Sequence, residues 1–298
     1  MDGVSFDLRE QEAIGLVGES GCGKTATALS LLRLVPRPAG KIVSGKILLE
    51  GEDLLSKSDQ EMRKVRGAKI SMILQDPMSS LNPVFTIGNQ IEEAIKIHQR
   101  LKGNSLRKKA RDMLDLVKIS SPEVRLKNFP HQMSGGMRQR VVGAISLSCR
   151  PSVLIADEPT TSLDVTIQAQ YLKLIKDLQE EANLSLIFIT HDFGIVAQMC
   201  DRVCVMYAGK IVESAPVLEL FDDPLHPYTR GLIASVPAAD KRVERLFSIG
   251  GQPPVLHNLP PGCYFYPRCE VHNNRCREEF PPEVEIGPQH KVSCWKVS

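Results

Sequence analysis

Gly18-Glu19-Ser20-Gly21-Cys22-Gly23-Lys24-Thr25 follows the apolar run 13–17 and opens a helical pattern over 25–34. Strand, Gly-rich turn and helix in that order make a phosphate-binding loop. The glycines let backbone N–H groups turn inward on phosphate oxygens, and the helix N-terminus adds partial positive charge. Lys24 can reach the β- and γ-phosphates, and the Thr25 hydroxyl can ligate Mg2+. The competing reading is a plain Gly-rich turn. At about 7% Gly, a chance match in a chain of this length is roughly one in a hundred, before the strand–helix context is counted.

Working outward, residues 153–158 read Val-Leu-Ile-Ala-Asp-Glu, an apolar strand ending in two carboxylates. In a protein with a phosphate loop, Asp157 fits a second Mg2+ ligand and Glu158 fits the group that polarises an attacking water. His191 and Gln75 each follow another short apolar run, 186–189 and 70–74. In open α/β sheets, ligands bind at the carboxyl ends of strands. Both are therefore placed to reach the γ-phosphate, the water or the metal.

The chain has 298 residues, 42% hydrophobic and 24% charged, enough to bury a core. Lys and Arg number 37 against 35 Asp and Glu, a net charge of +2, which argues against bulk binding to nucleic acid. The basic run Arg107-Lys108-Lys109 reads as a solvated helix face. No apolar run approaches the roughly 18 residues that span a bilayer, and the first residues lack a secretory pattern. The chain is expected in the cytosol unless a partner holds it at a membrane.

Short strands at 47–50, 70–74, 153–156 and 186–189 alternate with helical patterns at 86–101, 105–117, 134–148 and 166–181. That order predicts an α/β fold with a mostly parallel sheet. Beyond residue 250 prolines crowd the chain, so 222–298 reads as a loop-rich appendage that needs a staple. The division expected is 1–221 and 222–298, with a helical subdomain at about 84–148.

Met133-Ser134-Gly135-Gly136-Met137, followed by Arg138-Gln139-Arg140, decides the class. It resembles the signature of ABC transporter ATPases, a branch of the P-loop NTPases. The family's other parts stand in its order: phosphate loop, Gln75, signature, Asp157-Glu158, the Ser162-Leu163-Asp164 loop and His191. The match spans roughly residues 3–250. The resemblance implies a head-to-tail dimer with two ATP molecules at its interface. Each site would take Lys24 and its loop from one subunit, and Ser134, Gly135 and Gly136 from the other. It implies Thr25, Asp157 and Gln75 around Mg2+, catalytic roles for Glu158, His191 and Gln75, and Asp164 in the loop after the carboxylates.

Residues 75–83, Gln-Asp-Pro-Met-Ser-Ser-Leu-Asn-Pro, and 224–229, Pro-Leu-His-Pro-Tyr-Thr, narrow the resemblance to dipeptide/oligopeptide and nickel importer ATPases. The implied partners are two transmembrane permease subunits, an extracytoplasmic solute-binding protein and a sister ATPase, as a heterodimer or homodimer. The implied location is the cytoplasmic face of the inner membrane. Nickel or another small solute is the alternative cargo. A soluble ABC ATPase acting on DNA or in translation fits less well. Lys24 and Ser134 are 110 positions apart without sustained heptads, and there is one cassette rather than two.

Cys263, Cys269, Cys276 and Cys294 have five, six and seventeen residues between them. Cytosolic disulfides are disfavoured, and close zinc-finger pairs are absent. A [4Fe–4S] cluster, as in similar tails of peptide-importer ATPases, zinc, or free thiols all remain open. A redox-sensing tail that gates the ATPase is compatible with transport. Cys149, Cys200 and Cys204 read as small core residues, and His226, His257, His272 and His290 show no ligand spacing. Two departures from the family stand out. The signature ends in Met137 rather than Gln. The first strand and an adenine-stacking aromatic are missing before the phosphate loop, so a longer natural N-terminus is expected.

Overall fold

The computed structural model describes residues 1–76, 80–161, 163–236 and 247–297. Pro77, Met78, Ser79 and Ser162, all within expected motifs, lie outside the described residues. The described strands, in chain order, are β1 Ala13–Val17, β2 Leu48–Leu49, β3 Glu52–Asp53, β4 Ile70–Ile73, β5 Val153–Asp157, β6 Ser185–Thr190, β7 Arg202–Tyr207, β8 Lys210–Pro216, β9 Val284–Gly287 and β10 His290–Val292. Two compact units divide the chain. One holds Met1–Leu8, Ala13–Leu29 and Phe188–Ser298; the other holds Arg9–Glu12 and Ser30–Ile187. The residues after 222 thus share a unit with the phosphate loop.

In the second unit β4 and β5 pair in parallel, Ile70 opposite Val153 through Ile73 opposite Ala156. Helices Ile87–Gln99, Gly103–Leu116 and Gly135–Leu147 pack on one another. The reason is the helical spacing of their apolar residues. Ile87, Ile91 and Ile95 are fully buried on the first, and Ala110, Met113 and Leu114 on the second. Thr86 caps the first helix, its Oγ1 accepting the Asn89 N–H at 3.2 Å. Arg107 and Lys108 face solvent. The helix Val165–Ala182 runs from the cap Asp164 to Asn183, whose φ of +51° ends it.

In the first unit β1 and β7 are parallel, Ile14 opposite Arg202. From there the pattern departs from the expected mostly parallel sheet. β7–β8, β8–β10 and β10–β9 are all antiparallel. The cause is the turn after β7. Ala208 and Gly209 both take positive φ, +45° and +85°, the condition for a tight hairpin whose twist matches its strands. The tail then continues the sheet rather than forming loops alone. Tyr207, Tyr228, Phe265, Cys263 and Cys276 share one buried apolar cluster with Val17 of β1.

A buried carboxylate organises this region. Glu213 on β8 is 1% exposed. Its oxygens accept the backbone N–H of Leu225 at 2.7 Å and of His226 at 3.0 Å, and lie 2.8 Å from His290 Nε2. His226 Nδ1 accepts the Tyr228 N–H at 3.0 Å, which caps the helix Pro227–Ala234. These histidines show no metal-ligand spacing, and their contacts here are structural. Burial lowers the His226 pKa from 6.5 to about 3. The folded chain keeps this imidazole neutral while the unfolded chain protonates it. Stability present above pH 6.5 is therefore lost as the pH falls from there toward 3. We predict that lowering the pH from 7 to 5 costs wild type about 2 kcal/mol more than His226→Asn, which keeps a capping oxygen. Denaturant unfolding at the two pH values measures it.

Candidate functional site

The phosphate loop is built on three glycines in conformations other residues resist. Gly18, Gly21 and Gly23 have φ of +150°, +80° and +110°. At Gly18 space is also closed, because a Cβ would lie 2.2 Å from the Met206 carbonyl oxygen. Lys24 is buried, its Nζ donating to Gly18 O at 2.7 Å and Glu19 O at 3.1 Å. The cation thus lies inside its own loop. Thr25 at the helix start is exposed, and Ser20 and Gly21 project at the loop's tip. Burial raises the Cys22 thiol pKa. That disfavours the thiolate and speaks against an oxidisable loop.

Glu19 is held from several sides. Its backbone N–H donates to Tyr228 Oη at 2.8 Å. Its carboxylate takes two hydrogen bonds from Arg268, at 2.6 and 2.9 Å. Neither contact was foreseen. Tyr228 stands in the sequence only as part of the Pro-Leu-His-Pro-Tyr-Thr motif, and nothing in the sequence singles out Arg268.

His191 follows β6 and is exposed at the start of the helix Phe193–Met199. Asp192 beside it caps that helix, accepting from Gly194 N at 2.7 Å.

The second unit carries the other site residues. β4 and β5 run in parallel, so Gln75 and Glu158 emerge at the same end. Gln75 Nε2 donates to Glu158 Oε2 at 2.9 Å, and Thr161 Oγ1 donates to the same oxygen at 3.0 Å. Glu158 has φ +44°, a strained value for a residue with a side chain. Asp157 ends the strand at 1% exposure. Ser134 caps the signature helix Gly135–Leu147, its Oγ accepting the Met137 N–H at 3.3 Å. Gly135 is open, whereas a Cβ at Gly136 would meet Ile167 at 2.8 Å. Asp164 caps the helix bearing Ile167, accepting its N–H at 3.0 Å. Buried Gln139 donates to Pro159 O at 2.7 Å, so the signature helix is bonded to the residue after Glu158.

In the tail, Cys263, Cys269, Cys276 and Cys294 are in no disulfide and line one pocket with Phe265 and Trp295. Burial pushes Cys263 up to about 11 and raises Cys269 and Cys294 as well. Among the described residues, no group of three or more His, Cys, Asp or Glu is arranged to hold a metal ion.

Comparisons with known proteins identify the family. Residues 1–161 match the ABC transporter family model, and residues 212–276 match the C-terminal region of oligopeptide/dipeptide transporters. The chain is 52% identical to a probable peptide ABC transporter ATP-binding protein, y4tR, of Sinorhizobium fredii, over 99% of this chain and 89% of that protein. It is 50% identical to the dipeptide transport ATP-binding protein DppD of Bacillus subtilis, over 98% and 88%. The dimeric, ADP- and phosphate-bound ATP-binding cassette MJ0796 superposes with a TM-score of 0.63 at 25% identity, covering 72% of this chain and 89% of that one. The chain belongs to the ABC transporter family, as an ATP-hydrolysing cassette subunit. Cassettes of this family pair as dimers and work with membrane permeases. No described helix here is long and apolar enough to cross a membrane.

The two loop glycines with unlike surroundings give a test. Gly21→Ala meets open space and carries only the left-handed penalty, about 1 kcal/mol. Gly18→Ala adds the clash with a backbone oxygen and should cost roughly 3 kcal/mol or fail to bind ATP. Urea unfolding and ATP titration of both variants distinguish them.

Proposed function

We propose that this subunit hydrolyses ATP to drive the import of di- and oligopeptides through a membrane permease. The observation that carries the cargo class is the match of residues 212–276 to the C-terminal region of oligopeptide/dipeptide transporters. Two permease subunits, a sister ATPase in head-to-tail arrangement and an extracytoplasmic binding protein complete the assembly. The subunit works peripherally, at the cytoplasmic face of the inner membrane. Residues 222–298 form its C-terminal extension, and 1–221 its cassette.

The loop Gly18–Thr25 binds the ATP phosphates with inward N–H groups and Lys24. Ser134, Gly135 and Gly136 present a helix N-terminus to the γ-phosphate bound by the opposing subunit. Glu158 orients and deprotonates the attacking water. Its bond to Gln75 and its strained backbone support that role, since both hold the carboxylate in one place. His191 donates a hydrogen bond to the γ-phosphate, and Asp164 braces the loop between the subunits. Thr25, Asp157 and Gln75 would hold Mg2+; all three are hard oxygen donors, and the buried Asp157 carboxylate suits a cation. When bound, Mg2+ neutralises charge on the phosphates.

In the extension, Cys263, Cys269, Cys276 and Cys294 would hold a [4Fe–4S] cluster by closing around it, since the described thiols are not themselves arranged as a metal site. What supports this is one pocket lined by all four cysteines, three of which, Cys263, Cys269 and Cys294, have thiol pKa values raised by burial that an iron ligand would reverse. Protein purified without oxygen should contain about four iron and four sulfide per chain. Zinc, or neither element, in a fully folded preparation would refute it.

For the transport reading, labelled di- and oligopeptide uptake and nickel uptake are compared in cells carrying wild type or Glu158→Gln. The variant should bind ATP, hydrolyse at least 100-fold more slowly and lose peptide uptake alone. Loss of nickel uptake alone keeps the ATPase and replaces the cargo. Loss of neither refutes the transport role.

A further inference from the structure

We propose that Arg268 of the C-terminal extension is a positioning residue for ATP binding, acting through Glu19 to set the charge and shape of the phosphate loop. The inference rests on the phosphate-loop reading above.

The contact is not an ordinary surface pair. Arg268 and Glu19 form a two-bond fork, with the arginine side chain only 4% exposed. The same guanidinium donates to Tyr207 Oη at 3.3 Å, to Gly250 O at 2.9 Å and to Ile249 O at 3.4 Å. It lies 5.8 Å from the centre of the Tyr207 ring and 5.9 Å from that of Phe265. Tyr207, Tyr228 and Phe265 pack edge-on or tilted against one another. That aromatic wall fixes the Tyr228 hydroxyl that receives the Glu19 N–H. The backbone of one loop residue is thus held by Tyr228 and its side chain by Arg268. Across the loop, Pro253, Pro254, Val255 and Leu256 bound a cavity of about 330 Å³ whose other wall is Glu19, Ser20, Gly21 and Cys22.

The physical need is electrostatic. A loop that gathers a polyanion carries an acidic residue in its second position. Left alone, that carboxylate would oppose the triphosphate at short range. A planar, permanently charged guanidinium cancels it, and the bidentate geometry turns it toward the tail. A lysine would supply charge without the fork.

The test is ATP–Mg2+ binding to the full chain, at low salt and at 1 M salt. Arg268→Gln exposes the Glu19 charge and should weaken binding about tenfold at low salt. Glu19→Gln leaves Arg268 uncompensated and should tighten binding about threefold. Adding Glu19→Gln to Arg268→Gln should recover at least threefold of the loss. All three differences should shrink at 1 M salt, where the Debye length is about 3 Å. Equal losses in Arg268→Gln and in the double variant, independent of salt, would mean that Arg268 is only structural. Wild-type binding by Arg268→Gln would overturn the proposal outright. If Arg268→Gln does not fold, as judged by its unfolding transition without nucleotide, Glu19→Gln alone decides. Weaker binding by that variant contradicts the electrostatic role. Lys24→Ala is measured alongside. If it binds ATP like wild type, the phosphate-loop reading fails and takes this inference with it. If it loses binding while the Arg268 variants behave as wild type, only this inference fails.

Discussion

The tightest constraint in the molecule is the turn from β1 into the helix Lys24–Leu31. Its glycines expose backbone donors only because they sit at positive φ, and Gly18 does so against the carbonyl of Met206. That contact makes β7 part of the loop's mould. β7 in turn leads into the Ala208-Gly209 hairpin, β8 and the tail strands. Phosphate loop and C-terminal extension are therefore parts of one compact unit. The Arg268–Glu19 fork and the Tyr228–Glu19 bond close the same circuit from the tail side.

The second unit solves a different problem, which is how to hold a carboxylate ready. β4 and β5 present Gln75 and Glu158 at one end, and Thr161 adds a second donor. The backbone of Glu158 is held at φ +44°, a conformation that persists only where neighbours over-determine it. Gln139 supplies one such neighbour, tying the signature helix to Pro159. A shift of that helix would be felt one residue from the carboxylate. Ile167 packed against Gly136 has a similar consequence, since its helix is capped by Asp164.

Much of this was legible from residues alone. Strand β1, the loop, β4, β5, β6 and the four longer helices follow from apolar periodicity, and their observed ends differ from expectation by a few residues. The helix expected over 25–34 stops at Leu31, because Arg33 turns to φ +53° and Pro36 follows. The candidate site residues stand out in the sequence for a different reason: each lies at a strand end, a helix start or the turn between them, where sequence punctuation is strongest. The antiparallel half of the first unit is not legible in the sequence. β7 is a largely apolar run, but β8 reads Lys-Ile-Val-Glu-Ser-Ala-Pro, and the Ala-Gly pair that joins them is a weaker turn signal than Asn-Gly. The tail reads as loops because proline density hides short strands. Glu213, His226 and His290 could not be grouped, because their contacts span up to 77 positions. Arg268 and Glu19 lie further apart still, and neither residue type announces a partner.

One measurement bears most directly on the coupling of loop and tail. Amide hydrogen exchange is followed in the full chain, with and without ATP–Mg2+, over residues 18–25 and 263–276. If the extension helps to form the nucleotide site, ATP slows exchange in both segments together, with the same concentration dependence. Protection confined to residues 18–25, with the tail unchanged at saturating ATP, would contradict the account.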